Sequence, residues 1–170
     1  MSWALVRVDD RLIHGQVVVA WGHRLRPARI WVVDDAAAAD AWERDLFASA
    51  APGVDVRVIT VAEAAAGWAA EAAARGAAFL LVRSLREALA LVEAGATIPT
   101  LNLGGLHYAP GKDKVNEYVY LGEDDRAAAR ALLARGVTLE VQDVPATRAE
   151  RLASLVPALA AGAGNPGDDR

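Results

Sequence analysis

Short runs of β-branched and aliphatic residues alternate with alanine-rich segments along most of this chain. This alternation is typical of strands and covering helices in a mostly parallel α/β sheet. It predicts an open three-layer fold in which helices cover both faces of one sheet. Seven strands are predicted: Trp3 to Val8, Arg29 to Val33, Asp55 to Ile59, Ala78 to Val82, Thr100 to Leu103, Val115 to Leu121, and Val137 to Val144.

Three predicted helices begin with capping boxes, in which a hydroxyl and a carboxylate three residues later satisfy the first free backbone donors. These boxes are Thr60 to Glu63, Ser84 to Glu87 and Thr147 to Glu150. The last helix carries an apolar stripe between Leu152 and Leu159, and Pro157 should end or kink it.

Length and composition favour one folded domain. A chain of 170 residues with 54% hydrophobic content can bury a substantial core. We predict a single domain over residues 1–161 and a flexible C-terminal tail at 162–170, where glycine, proline and charged residues accumulate. No internal repeat or interdomain linker is apparent.

Charge and targeting signals exclude several classes of function. A net charge of −4 argues against a general nucleic-acid binder or a protein of anionic membrane surfaces. Without cysteine there is neither a disulfide framework nor a thiolate metal site. The N-terminal residues lack a signal-peptide pattern and no apolar run approaches the length of a membrane span, so we expect a cytoplasmic protein.

The segment 7–17 places His14 between the first predicted strand and a helix that starts near Gly15. In a parallel sheet this turn lies at the carboxyl end of the strand, where the following helix presents free N–H groups to an anion. Neutral imidazole is nucleophilic at physiological pH, so His14 can accept and pass on a phosphoryl group. The alternative is a structural or surface histidine, which is the commoner role for an arbitrary histidine.

Charged neighbours complete the candidate site. Arg11, three residues before His14, is the nearest guanidinium for phosphoryl oxygens. Either Asp9 or Asp10 can orient the imidazole, but adjacent side chains at a strand end point apart, so both should not serve one histidine. The other carboxylate would then cap the turn or pair with an arginine. Asp9, Asp10 and His14 could in principle bind a metal, but no second histidine or carboxylate cluster is near, and we predict no metal site.

Backbone amides supply further phosphate-binding candidates. Gly15 and Gln16 follow His14 directly, and Gly104 and Gly105 end a later strand at the same predicted edge. The alternative for the paired glycines is a tight turn. Ser84 also ends a strand at this edge, although the capping box explains it more simply.

Other polar residues are weaker candidates. Asp35 and Arg83 end strands at the same edge, and Arg83 either adds a second guanidinium to the site or pairs with a carboxylate. His107 follows the paired glycines and could reach the site, although a loop histidine is more often exposed, and His23 is expected at the far end of its helix. The spacing from Gly105 to Lys112 does not fit a phosphate loop, because five residues separate the glycines and Asp113 replaces the required Ser or Thr. We therefore expect no nucleotide or other cofactor.

Residues 7–17 resemble the phosphorylation-site signature of the IIB components of the mannose, fructose and sorbose class of the phosphoenolpyruvate:sugar phosphotransferase system. The resemblance extends in order over roughly residues 3 to 145, and its first motif is highly specific. The further matching segments are Ile30 to Asp35, Ala50 to Val54, Leu91 to Gly95, Asn102 to Leu106, and Arg135 to Val141.

The resemblance implies a phosphotransferase component with an antiparallel edge strand beside the parallel ones. It implies that His14 receives a phosphoryl group from a IIA phosphohistidine and passes it to a sugar bound by membrane IIC and IID partners. Location would be cytoplasmic and peripheral to the transporter. The family motif favours Asp10 over Asp9 as the partner of His14, and Arg83 departs from the small polar residue expected there.

The identity of the sugar cannot be read from this chain, and a homodimer stays open. Two other functions also stay open. One is a regulatory module that uses the same phosphohistidine to change its affinity for a partner. The other is a plain α/β ligand-binding domain in which His14 is never modified.

Overall fold

The fold is built around a seven-stranded sheet. The computed structural model describes residues 3–160. The strand order is β3-β2-β4-β1-β5-β8-β9, and every neighbouring pair is parallel except β8 and β9. A separate two-stranded antiparallel ribbon pairs β6 with β7. The strands are β1 (Trp3–Asp9), β2 (Arg29–Val33), β3 (Asp55–Ile59), β4 (Ala78–Val82), β5 (Thr100–Gly105), β6 (Asp113–Lys114), β7 (Tyr120–Leu121), β8 (Thr138–Val141) and β9 (Glu150–Arg151).

Helices connect most of the parallel strands. After β1 a π-helix (Gln16–Trp21) continues directly into α1, and a 3₁₀ turn (Pro157–Leu159) ends the described chain. The α-helices are α1 (Gly22–Leu25), α2 (Asp35–Ala39), α3 (Ala41–Ala50), α4 (Val61–Ala73), α5 (Leu85–Glu93), α6 (Glu123–Ala134) and α7 (Leu152–Leu155).

Two hydrophobic cores, one on each face of the sheet, make the fold three-layered. Along β1 the side chains alternate, so Val6 and Val8 enter one core while Leu5 enters the other. Helices α4, α5, α6 and α7 cover the first core, whereas the π-helix, α2 and α3 cover the second. The predicted α/β class, with helices on both faces and an antiparallel edge strand, is confirmed.

The strand predictions were accurate for most of the parallel strands. β2, β3 and β4 have the predicted bounds, and β1 and β5 extend one and two residues further, to Asp9 and Gly105. The last predicted parallel strand is shorter than expected and covers Thr138–Val141.

The predicted sheet strand from Val115 to Leu121 is wrong. Only Tyr120–Leu121 is extended, and it pairs with β6 outside the main sheet. The side chain of Asn116 accepts hydrogen bonds from the amides of Tyr118 and Val119, so the segment turns instead of running straight. The seventh strand of the sheet is β9.

The predicted capping box from Thr147 to Glu150 is also wrong. Glu150 lies in β9, and the Thr147 hydroxyl donates within a local turn to Asp143 and Val144. The predicted last helix is reduced to Leu152–Leu155 and a separate 3₁₀ turn, because the residue before Pro157 avoids the helical conformation.

Among residues 3–160, no helix is both long and apolar enough to cross a membrane. The division into a domain at 1–161 and a tail stays a prediction, since the tail at 162–170 lies outside the described residues.

Candidate functional site at the carboxyl end of β1

The segment from Asp9 to His14 folds back at the carboxyl end of β1. The amide of Leu12 donates to the Asp9 carbonyl at 2.9 Å and closes a tight turn. Leu12 itself has φ 55°, a left-handed conformation that is strained by about 1–3 kcal/mol for a residue with a bulky side chain. Its fully buried side chain offsets that strain, so core packing fixes the turn that carries His14.

His14 contacts the buried carboxylate of Asp9. The Nε2 atom of His14 lies 2.8 Å from Asp9 Oδ2, and the two side chains are 15% and 0% exposed. An ionised carboxylate can only accept a hydrogen, so the neutral imidazole carries its proton on Nε2. The free lone pair is therefore on Nδ1.

The Arg7 side chain holds the Asp9 carboxylate in place. Its guanidinium is fully buried and donates to Asp9 Oδ2 from Nη2 at 3.0 Å and from Nε at 3.3 Å. The Nη1 atom donates to Asn102 Oδ1 at 2.6 Å and to the Gln142 carbonyl at 3.0 Å. The network ties His14, through Asp9 and Arg7, to β5 and to the residue that follows β8.

The electrostatic environment keeps Asp9 ionised. Burial alone raises the pKa of the Asp9 carboxyl, but the hydrogen bond with His14 and the charge of Arg7 outweigh it. The pKa of Asp9 consequently lies below its ordinary value. For Arg7, burial outweighs the attraction of Asp9 and lowers the pKa of the guanidinium.

Sequence reasoning missed Arg7 as a functional residue. A usable signal was present, because Arg7 is a charged residue inside an apolar strand, two positions before Asp9. Residues two apart on a strand point to the same face.

The preference for Asp10 as the partner of His14 is corrected by the structure. Asp9 occupies that position, whereas the Asp10 carboxylate contacts His107 on the opposite side of the chain. The expectation that the two carboxylates point apart is confirmed, and it follows from side-chain alternation at the end of a strand.

Arg11 lies beside His14 and is 42% exposed. Its Nη2 donates to Gln16 Oε1 at 3.0 Å, and its Nε lies 3.4 Å from Asp9 Oδ1. The Gln16 side chain therefore orients the guanidinium. Gly15 and Gln16 precede the first helical hydrogen bond, from Val18 to His14, so helix geometry leaves their amides without a partner inside the helix.

Gly104 and Gly105 lie within a strand rather than a loop, and their lack of a side chain leaves room for neighbouring side chains. Both are buried in β5. A Cβ on Gly104 would lie 1.6 Å from Arg7 Cζ, and a Cβ on Gly105 would lie 3.2 Å from Asp9 Oδ1. Gly104 is thus required by the Arg7 guanidinium, and the prediction that its backbone binds phosphate finds no support in this position.

Two other predicted residues have structural partners. The Ser84 amide donates to Glu87 Oε2 at 2.8 Å, as the capping box predicted, and Asp35 accepts from the Val61 amide. Arg83 pairs with a carboxylate, the second of its predicted alternatives, and also contacts the backbone of the turn that carries His14. Its Nε donates to Asp34 Oδ2 at 2.6 Å, and its Nη1 reaches the Asp10 carbonyl at 3.3 Å.

Over the described part of the chain, no group of three or more histidine or acidic side chains is arranged to hold a metal ion. The chemistry available at this edge is that of an imidazole nucleophile, an ionised carboxylate and an exposed guanidinium.

Comparison with known proteins identifies related chains. The family model described as PTS system sorbose subfamily IIB component matches residues 3–161. The sorbose-specific EIIB component of Lacticaseibacillus casei is 36% identical over 145 residues, with 85% of this chain and 88% of the relative covered. The mannose-specific EIIAB component of Escherichia coli strain K12 is 39% identical over 145 residues. That alignment covers 85% of this chain, which spans only 45% of the length of the EIIAB relative.

Solved structures show the same architecture. The IIBSor domain of the sorbose permease from Klebsiella pneumoniae superposes with a TM-score of 0.85 at 32% identity. The superposition covers 93% of this chain and 98% of that domain.

Proposed function

Because this chain belongs to the sorbose subfamily of IIB components of the phosphotransferase system, we propose that it is a phosphocarrier whose acceptor atom is Nδ1 of His14. One observation carries the assignment. The Asp9 carboxylate accepts a hydrogen bond from Nε2–H, and the lone pair of Nδ1 is left free for attack.

The proposed transfer to His14 takes place in one displacement step. The Nδ1 lone pair attacks the phosphorus of a phosphohistidine on the donor protein, a new P–N bond forms, and the donor P–N bond breaks with its electron pair returning to the donor nitrogen. Asp9 stabilises the positive charge that develops on the His14 ring. In the onward step the oxygen of a sugar hydroxyl attacks the same phosphorus and forms an O–P bond, and the P–Nδ1 bond breaks with its electron pair returning to Nδ1. The hydroxyl proton passes to a base of the transporter or to water.

Arg11 and the first helical amides would bind the transferring oxygens. Phosphoryl transfer depends on positioning and on stabilising charge at the equatorial oxygens. Arg11 is exposed and pre-oriented by Gln16, while the amides of Gly15 and Gln16 have no partner inside the helix and could donate to an anion. We expect Arg11→Lys to slow phosphorylation about tenfold although the charge is kept, because the planar pair of donors is lost.

The proposed partners follow from the family. The donor is a IIA phosphocarrier, and the acceptor is a sugar bound by membrane IIC and IID components, which would place the chain in the cytoplasm beside the transporter. A relative named EIIAB component supports a IIA partner. The sugars in the names of relatives are mannose, sorbose, fructose and N-acetylgalactosamine, so the names leave the sugar of this chain open.

Labelling tests the proposal. The protein is incubated with ³²P-phosphoenolpyruvate, the general phosphotransferase proteins and a IIA partner, and the label is mapped. We expect one acid-labile label on His14 that His14→Ala abolishes, with the circular dichroism spectrum unchanged. His23→Ala is the matched control and should be labelled like the wild type, and in His107→Ala the label should still map to His14. A label that survives His14→Ala would overturn the assignment.

A further inference from the structure

We propose that His107 is a positioning residue for His14 phosphorylation, acting with Arg83 to hold Asp10 and thereby the 10–14 loop, residues 10 to 14. The inference rests on the proposed function of His14. It concerns a histidine two residues after the end of β5, 97 residues from Asp10 in the chain.

Asp10 is held at all four of its polar atoms. Its amide donates to the Gly105 carbonyl at 3.0 Å, and its carbonyl accepts from Arg83 Nη1 at 3.3 Å. The carboxylate takes two contacts from one residue. His107 donates its backbone amide to Asp10 Oδ2 at 2.7 Å, and its Nδ1 lies 2.6 Å from Asp10 Oδ1.

The backbone of His107 is fixed by the hydrogen bonds of its neighbour. The preceding residue, Leu106, is buried, its amide donates to the Tyr118 carbonyl, and its own carbonyl accepts from Tyr120. The backbone of His107 is therefore fixed on one side by the end of β5 and by the segment leading into β7. Two contacts from a residue whose backbone is fixed restrict both the position and the rotation of the Asp10 carboxylate.

Arg83 holds the same residue from the other side. Its guanidinium is fixed by Asp34, which is buried and also caps helix α2 by accepting from the Ala37 amide. The end of β4 thus contacts the Asp10 backbone, while the end of β5 contacts its side chain. Since β4 and β5 are the two neighbours of β1 in the sheet, the 10–14 loop is attached to both.

Positioning is the role that this attachment serves. Asp10 directly precedes Arg11, and the amide and guanidinium of Arg11 both contact Asp9 Oδ1. A loop released at Asp10 would let the Arg11 fork move relative to Nδ1 of His14. Displacements of about 1 Å away from the reacting atoms are enough to slow catalysis.

The test compares His107→Ala with His107→Asn, in which an amide nitrogen replaces the Nδ1 donor. The backbone contact to Asp10 Oδ2 is kept in both variants. Initial rates of His14 phosphorylation are measured against the concentration of phosphorylated IIA partner, with His23→Ala as the matched control. We expect His107→Ala to lower kcat about two- to fivefold with KM unchanged, the range of a partly exposed charged contact, and His107→Asn to restore most of the loss.

Amide NMR spectra of the unphosphorylated proteins provide a readout that needs no partner. The Arg11 and Leu12 signals should shift in His107→Ala and return toward the wild-type positions in His107→Asn. Unchanged signals and rates in His107→Ala, or a loss that Asn does not restore, would overturn the positioning role. A raised KM with unchanged kcat would instead make His107 a docking residue and would also overturn it. If wild-type protein takes no label on His14 while the amide shifts occur as expected, the proposed function fails and the attachment of the loop stands.

Discussion

Asp9 and Asp10 are adjacent residues of the same type, and each contacts one histidine and at least one arginine, yet they lie in different environments. The Asp9 side chain is fully buried against Arg7, whereas that of Asp10 is 28% exposed and contacts His107. Charges that are removed from water depend on their partners far more than charges that water can reach. The comparison therefore separates a buried cluster that fixes the chemistry of His14 from an outer contact that fixes the loop.

The largest expected difference between these two clusters is in stability. Asp9→Ala leaves the Arg7 guanidinium buried without its carboxylate, which should lower the free energy of unfolding by about 3–5 kcal/mol. Asp10→Ala should lower it by about 1 kcal/mol or less. Urea unfolding at neutral pH measures both. The double variant Arg7→Met with Asp9→Ala should recover much of the loss, and equal losses in the two single variants would remove the distinction.

Substitution of Gly104, which lies against the buried Arg7 guanidinium, should destabilise the fold less than Asp9→Ala does. Substitution of Gly15, which lies outside the buried cluster, should not destabilise it. Gly104→Ala places a Cβ on the Arg7 guanidinium and should destabilise the fold by about 1–3 kcal/mol through forced movement of that side chain. Gly15→Ala is the matched control, because Gly15 has φ −52° and, apart from its chain neighbours and the backbone of its own helix, nothing lies within 4 Å of its Cβ position. It should be neutral or slightly stabilising. Similar unfolding midpoints for the two variants would show that Arg7 is not held where the structure places it.

The smallest effect is a change of stability with pH. The folded pKa of Asp9 lies below its ordinary value of 3.8, so the folded state favours the ionised form. The stability that Asp9 contributes is therefore present above 3.8 and is lost as pH falls through the folded pKa. Wild-type protein should exceed Asp9→Asn in stability by a margin that shrinks on acidification below 3.8. Glu87, whose pKa burial raises, acts in the opposite direction but is common to both proteins. A margin independent of pH would contradict the ionised, paired state of Asp9.

Much of the fold could be predicted from local patterns. β2 and β4 are short apolar runs, β3 alternates polar and apolar residues, and all three strands have the predicted bounds. The segment from Val115 to Leu121 has the composition of a strand, but the side chain of Asn116 bonds the backbone into a turn. Composition does not report such local competition, which is why that prediction failed.

The site was predictable to the level of the turn but not of the individual contacts. The position of His14 depends on the turn in which Leu12 is left-handed, and the buried Leu12 side chain sustains that conformation. The contact between Asp10 and His107 depends on the order of strands in the sheet, which places β5 beside β1. Neither can be read from residues close in the chain.

The central claim is that Asp9 determines which nitrogen of His14 is the nucleophile. The measurement that tests it most directly is the identity of the phosphohistidine isomer, obtained from ¹⁵N and ³¹P NMR of the protein phosphorylated by its IIA partner. We predict phosphorus on Nδ1, with Nε2 still protonated and bonded to Asp9. Phosphorus on Nε2 would contradict the account, because that nitrogen would have to break its 2.8 Å contact with Asp9 to accept the group.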